Sequence, residues 1–247
     1  MSKYFELMQK IDEQRESKTQ AAPENGNHRS HPKADSYPQG ASDEALRLVQ
    51  QIFLTQAETA PRLVAFAGID PGNGCSEICA SVASSLARST RGRVCLVEAN
   101  FYSPTLPQLL HTTNYHGLVE ALEQPDQQVI SYAQSLQPEN LWLLSSGKVN
   151  ADSSRHLHSD GLRERFMELR DTFDYILIDA PPLTRYSEGI AIGQVVDGLV
   201  LVLEAEATRK EAASAVMGNL RAANIPVIAA VLNKRNFPIP EKIYRHL

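Results

Sequence analysis

The chain has 247 residues, a formal net charge of −5 and 43% hydrophobic residues. This length and composition predict one folded domain with an appendage, and the acidic balance argues against nucleic-acid binding. No apolar run approaches the roughly 20 residues of a membrane helix, the N-terminus lacks a signal peptide's apolar core, and the three cysteines form no CxxC pair. We therefore expect a cytoplasmic protein.

The N-terminal residues are predicted to lie outside the folded domain. Residues 1–16 are predicted to form a short amphipathic helix. Such a helix is marginal alone, so we expect it either to dock on another surface or to fray. Residues 17–40 are polar and rich in Pro, Asn, Ser and Gly, which predicts a flexible linker. The domain is expected over residues 41–247.

Apolar runs and helical spacing alternate along the domain, which predicts a mostly parallel sheet flanked by helices. Strands are predicted at residues 63–67, 94–97, 141–144, 175–178, 199–203 and 227–232, and helices at residues 42–56, 116–122, 161–170, 187–196 and 208–223. The first helix is expected to bury Leu46, Val49, Ile52 and Phe53. Thr208 is a candidate N-cap of the last helix.

A glycine-rich turn, DPGNG, follows the first strand and precedes a helix. Pro71 fixes its own φ, and Gly72 and Gly74 allow backbone conformations that other residues avoid. A βαβ unit that opens on such a turn predicts a phosphate-binding site, because the N–H groups of the turn and of the helix N-terminus point at an anion.

The turn departs from the P-loop pattern GxxxxGK[ST] at its lysine. Gly74 is followed by Cys75 and Ser76, and residues 63–87 contain no lysine or arginine. Glu77 is expected to use the helix N-terminus that a phosphate would otherwise occupy.

Four motifs carry a resemblance to a known family. DPGNGCSE corresponds to xPGEGKST, LVEANFYSP to LIDADLRxP, FDYILIDAPP to the Walker B pattern YDxVIIDxPP, and VIAAVLNKR to a strand that ends in LN. From about residue 42 to Asn233 the chain resembles the ATPase domain of bacterial tyrosine kinases (BY-kinases). These are MinD/ParA-like P-loop proteins that act with membrane chain-length regulators in capsule and exopolysaccharide synthesis. The resemblance implies a three-layer P-loop NTPase-like fold.

The resemblance also implies the residues of a nucleotide site. The implied nucleotide-binding residues are Pro71, Gly72, Asn73, Gly74, Cys75, Ser76, Glu77 and Asn233. Ser76 and Asp179 would hold Mg²⁺, and Asp179 and Glu98 are residual catalytic residues by the same correspondence. ATP and Mg²⁺ are therefore the implied cofactors. However, Cys75 replaces the family's lysine, and Glu98 and Asn100 replace two aspartates, so we expect ATP binding to be weak or absent.

Three interpretations of this loop remain open. The favoured one is a degenerate P-loop in a regulatory or scaffold protein. In the second, a working kinase obtains its lysine elsewhere, for example from Lys148, Lys234 or a partner subunit. In the third, the helix N-terminus acidifies the Cys75 thiol for a different chemistry, although the sequence places no base beside it. Asn233 is either a base contact or a strand-end cap.

The sequence thus predicts a BY-kinase-like pseudokinase in exopolysaccharide or capsule biosynthesis and chain-length control, with an active tyrosine kinase of the same pathway as the alternative. The resemblance implies a membrane polysaccharide copolymerase or an active kinase paralogue as partner, at the inner membrane. Glu44 and Arg47 match the family's ring-forming ExxRxxR motif, but Gln50 replaces its last arginine. We therefore expect any homo-oligomeric ring to be weakened.

Overall fold

The computed structural model describes residues 41–54, 60–158 and 160–235. The helices are α1 (Ala41–Val49), α2 (Cys75–Ser89), α3 (Leu106–Leu109), α4 (Leu118–Glu123), α5 (Asp160–Thr172), α6 (Glu188–Gly193) and α7 (Lys210–Ala222). The strands are β1 (Leu63–Gly68), β2 (Val94–Glu98), β3 (Gln134–Ser135), β4 (Leu141–Leu144), β5 (Tyr175–Ala180), β6 (Gly198–Glu204) and β7 (Val227–Asn233). The predictions for residues 1–40 lie outside the described residues.

The strands form one sheet in the order β3-β4-β2-β5-β1-β6-β7. Every neighbouring pair is parallel except β3 with β4. This arrangement confirms the predicted mostly parallel sheet. It also places the carboxyl ends of β2, β5 and β1 side by side, which is where ligands bind in open parallel sheets.

Helices cover the central strands on both faces, so the side chains on both faces of these strands are buried. β1 is an example. Its residues are all buried, and they alternate between the two layers of the core. Leu63 and Ala65 pack in the layer that contains Phe166 of α5, whereas Val64 and Phe66 pack in the layer that contains α1 and α2. Strands buried on both faces read as continuous apolar runs, which is why they could be predicted from sequence.

The buried face of α1 differs from the prediction. Leu46 is 37% exposed, and Ala45 takes the core position at 4% exposure, together with Val49 and the predicted Ile52 and Phe53. Ala45, Val49 and Ile52 recur at helical spacing, whereas Leu46 lies about 100° further round the helix. The last turn, Gln50–Leu54, is π-helical.

Thr208 does not cap α7, because that helix begins at Lys210 and its N-cap position is Arg209. The Thr208 hydroxyl instead accepts hydrogen bonds from the Glu204 N–H at 2.9 Å and from the Asn73 side-chain amide at 3.2 Å.

α3 and β3 were not predicted, and α6 is shorter than expected. Among the described helices, none combines the length and apolar content that a membrane crossing requires.

Neighbouring residues of α5 provide a matched test of the core. Phe166 is 1% exposed and Met167 is 53% exposed. We expect Phe166→Ala to lower the free energy of unfolding by about 3–5 kcal/mol, because it removes a large buried ring and leaves a cavity. Met167→Ala should change it by less than about 1 kcal/mol. Urea unfolding measures both, and equal losses would contradict this packing.

Candidate phosphate-binding site

The glycine-rich loop, residues 69–74, leaves β1 in the conformation that its glycines predict. Gly72 has φ 84° and Gly74 has φ 78°, the left-handed region that favours glycine. A side chain at Gly74 would also collide with Asn233, because a Cβ there would lie 2.4 Å from the Asn233 side-chain nitrogen.

The loop exposes a row of unpaired backbone donors. In the described part of the chain, no acceptor bonds the N–H groups of residues 73–76, and the first helical bond runs from the Ile78 N–H to the Gly74 carbonyl at 3.1 Å. Free N–H groups at a turn and a helix N-terminus suit an anion. Glu77 lies in the first turn of α2, and among the described residues no hydrogen bond joins its carboxylate to these N–H groups.

A cleft of about 840 Å³ opens beside the loop. Its other lining residues include Asn100, Tyr102, Arg185 and Tyr186. The Tyr102 and Tyr186 rings stack with centroids 3.5 Å apart, and the Tyr102 hydroxyl donates to the carboxylate of Glu188. Sequence reasoning missed the tyrosine stack, because its two rings come from separate connections after β2 and β5 that meet only in the tertiary structure.

Asp179 lies fully buried behind the loop. Its Oδ2 accepts a 2.5 Å hydrogen bond from the Ser76 hydroxyl, while its Oδ1 has no partner among the described residues. Glu98 is its cross-strand neighbour on β2 and is equally buried. The Glu98 Oε2 accepts from the N–H groups of Thr105 and Leu106, each at 2.8 Å. Glu98 therefore anchors the start of α3, a role that the sequence did not predict.

Burial raises the pKa of both carboxyl groups. Burial, and then the charge of Asp179, raise the pKa of Glu98 well above its usual value. Burial also raises the pKa of Asp179 to about 6, against a lowering by the neighbouring Ser76, Cys75 and Glu98 side chains. Burial therefore favours the protonated form of both carboxyl groups.

Ser76 and Asp179 supply oxygen donors of the kind that Mg²⁺ prefers. The unpartnered Oδ1 of Asp179 fits a cation, so these two residues would hold the ion. The described residues contain no cluster of three or more His, Cys, Asp or Glu side chains suited to a metal.

Cys75 stands at the position of the P-loop lysine and lines the cleft. Burial, and then the negative charge of Asp179, raise the pKa of its thiol well above the usual value. The thiol is therefore protonated and neutral at physiological pH. It supplies neither a cation for a phosphate nor a thiolate for nucleophilic attack.

Of the two lysines considered as substitutes, Lys234 contacts the loop. Its Nζ donates to the Gly72 carbonyl at 2.6 Å and lies 3.1 Å from the Glu204 carboxylate. The Asn233 side-chain amide donates to the Asn73 carbonyl at 2.8 Å. Lys148 is absent from the cleft lining.

No protein-family model matches the chain. It is 26% identical over 200 residues to the tyrosine-protein kinase YwqD of Bacillus subtilis strain 168, covering 79% of this chain and 82% of that protein. It is 23% identical over 197 residues to the tyrosine-protein kinase Etk of Escherichia coli K12, covering 79% of this chain and 27% of Etk. The succinoglycan biosynthesis transport protein ExoP of Rhizobium meliloti strain 1021 is 27% identical over 186 residues, covering 72% of this chain and 23% of ExoP.

The chain is a homologue of bacterial tyrosine kinases. The family resemblance inferred from the motifs is thereby confirmed. Its match spans most of YwqD but only about a quarter of Etk and ExoP.

Solved structures confirm the P-loop NTPase-like fold. The chimerical protein CapA2B2 aligns with a TM-score of 0.73 at 19% identity, covering 83% of this chain and 88% of that one. The kinase domain of Escherichia coli ETK aligns with a TM-score of 0.73 at 22% identity, covering 85% of this chain and 86% of that one. A ParA family ATPase from Chlorobium tepidum aligns with a TM-score of 0.62 at 18% identity, covering 71% and 75%.

The raised pKa of Asp179 predicts a pH dependence of stability. Its folded value of about 6 exceeds the ordinary 3.8, so between these values the folded protein binds more protons than the unfolded chain. The free energy of unfolding should therefore fall as pH rises. Without divalent cations, we expect the wild type to lose roughly 1–2 kcal/mol relative to Asp179→Asn between pH 5 and pH 8.

Denaturant melts at several pH values measure this difference. Asp126→Asn, which removes an exposed carboxylate, is the control and should parallel the wild type throughout. A wild-type stability that rises relative to Asp179→Asn over this range would contradict the assigned shift.

Proposed function

We propose that this chain is a degenerate BY-kinase-like protein that serves as a regulatory or scaffold subunit in exopolysaccharide or capsule biosynthesis and chain-length control. Its nucleotide site binds ATP weakly or not at all. The tyrosine-kinase relatives and the relative named for succinoglycan biosynthesis support the pathway.

The neutral thiol at position 75 is the observation that carries this proposal. A charge-assisted hydrogen bond contributes about 1.5–3 kcal/mol, and the loop has lost the one that its lysine would make to phosphate. The Nζ of Lys234 already bonds the Gly72 carbonyl and the Glu204 carboxylate. The loop thus offers dipoles to an anion where an active P-loop adds a full charge.

The acidic residues around the loop argue in the same direction. Asn100 places no negative charge beside a magnesium ion, and burial disfavours the charged form of Glu98. Asp70 and Glu77 line the cleft and repel a polyphosphate. These substitutions weaken both the positioning and the charge neutralisation on which phosphoryl transfer depends.

The alternative, an active tyrosine kinase, is supported by the free loop N–H groups, the Ser76–Asp179 bond and Arg185. Arg185 lines the cleft and would supply a cation from outside the loop. Phosphotyrosine formation with Mg·ATP separates the alternatives.

A membrane polysaccharide copolymerase, or an active kinase paralogue, is the partner that this proposal implies. The chain would then act in the cytoplasm, at the inner membrane through that partner. Homo-oligomerisation remains part of the proposal in weakened form, because Gln50 replaces the last arginine of the ring motif.

Restoring the lysine tests the missing charge. We expect Cys75→Lys to raise the affinity for Mg·ATP roughly ten- to a hundredfold, because it returns one charge-assisted contact. Calorimetry measures the affinity, and Cys75→Ala, which removes the thiol without adding charge, should leave it near the wild-type value. Neither the wild type nor Cys75→Lys should form phosphotyrosine efficiently, since Asn100 still replaces an aspartate and Glu98 still bonds the backbone of Thr105 and Leu106.

Micromolar binding by the wild type that Asp179→Ala abolishes, accompanied by phosphotyrosine, would refute the proposed function and establish the kinase alternative.

A further inference from the structure

Side chains from the end of β7 hold two consecutive carbonyl groups of the glycine-rich loop. The Lys234 Nζ donates to the Gly72 carbonyl at 2.6 Å, and the Asn233 amide donates to the Asn73 carbonyl at 2.8 Å. Lys234 has φ 55°, a left-handed conformation that is uncommon outside glycine. Its ammonium group is held from a second side by Glu204 at 3.1 Å.

Because each trans peptide unit is planar, these two hydrogen bonds also fix the directions of the loop's N–H groups. In each peptide unit the C=O and the following N–H point in opposite directions. Fixing the Gly72 carbonyl therefore fixes the Asn73 N–H, and fixing the Asn73 carbonyl fixes the Gly74 N–H. Both N–H groups then point away from the end of β7.

That direction is toward the cleft. Gly72, Asn73 and Gly74 line it, whereas Asn233 and Lys234 are absent from its lining. The two N–H groups have no acceptor in the described part of the chain, so they are available to a ligand. Lys234 thus acts on the outer side of the loop, opposite the face that an anion would use.

The remaining contacts of Asn73 show that the loop is anchored at its centre as well. Its side-chain amide donates to the Val202 carbonyl and to the Thr208 hydroxyl, each at 3.2 Å. These bonds fix the Asn73 side chain, but neither involves the Gly72 carbonyl. The orientation of the Gly72–Asn73 peptide therefore depends on Lys234.

We propose that Lys234 is a positioning residue that orients the loop's N–H donors for an anion by holding the Gly72 carbonyl, and that it does not itself contact the phosphate. The assignment rests on the proposed function insofar as the loop is a weak anion site without its lysine. Lys234 is therefore not a substitute for the phosphate-binding lysine. It affects the anion only through the backbone of the loop.

The backbone mobility of the loop in the ligand-free protein tests this assignment. We expect ¹⁵N relaxation order parameters near 0.85 for the Asn73 and Gly74 amides in the wild type, and below about 0.6 for the Asn73 amide in Lys234→Met. Lys234→Arg should keep the wild-type value, because a guanidinium also donates to a carbonyl. Lys210→Met, which removes an exposed lysine at the start of α7, is the matched control and should change neither amide.

Several outcomes would overturn the assignment. An Asn73 order parameter in Lys234→Met equal to that of the wild type would do so, as would equal mobility in Lys234→Met and Lys234→Arg. If Lys234→Met does not fold, Lys234→Ala takes its place. Failure of both to fold while Lys210→Met folds also contradicts it, because a half-exposed side chain that only orients the loop is not needed for folding.

Binding of inorganic pyrophosphate, measured without Mg²⁺, tests whether the orientation of the loop affects its affinity for an anion. A loss of affinity of roughly tenfold in Lys234→Met, restored in Lys234→Arg, supports the assignment, because a disordered loop must be ordered on binding. Equal affinity in Lys234→Met and the wild type overturns it. Tight Mg·ATP binding with phosphotyrosine formation would defeat the proposed regulatory function, while the order parameters still decide the role of Lys234.

Discussion

The charge balance around the glycine-rich loop governs the behaviour of the whole site. The loop's N–H groups are aligned for an anion, yet the residue at the lysine position is a neutral thiol and the lysine that contacts the loop is on its outer side. Backbone dipoles alone bind phosphate less strongly than dipoles with a full charge. The shape of a phosphate site can therefore persist while its affinity falls.

The replacement of aspartate by glutamate at the end of β2 illustrates how one methylene changes a site. The longer arm of Glu98 reaches the N–H groups of Thr105 and Leu106, so its carboxyl group anchors α3. Its position beside the buried Asp179 favours the protonated form. A residue that retains its acidic character in the sequence thus takes part in the backbone hydrogen bonding of the fold.

Kinase relatives and ParA-like structures share this fold, so the fold does not distinguish an active enzyme from a regulatory subunit. The distinction lies in a few side chains placed on a common sheet. Here the Ser76 hydroxyl bonds the Asp179 carboxylate, and the uncharged residues Cys75 and Asn100 lie beside them. This combination is consistent with the proposed regulatory or scaffold role.

The sequence by itself determined the sheet, the loop and the family. Strands buried on both faces appear as apolar runs, so β4 was predicted with its observed bounds, and Gly72 and Gly74 identified the turn because their backbone conformations exclude most other residues. Only the tertiary structure decided the Lys234–Gly72 contact, the tyrosine stack and the raised pKa of Glu98. Each depends on burial or on the approach of segments far apart in the chain, and local patterns of residues encode neither.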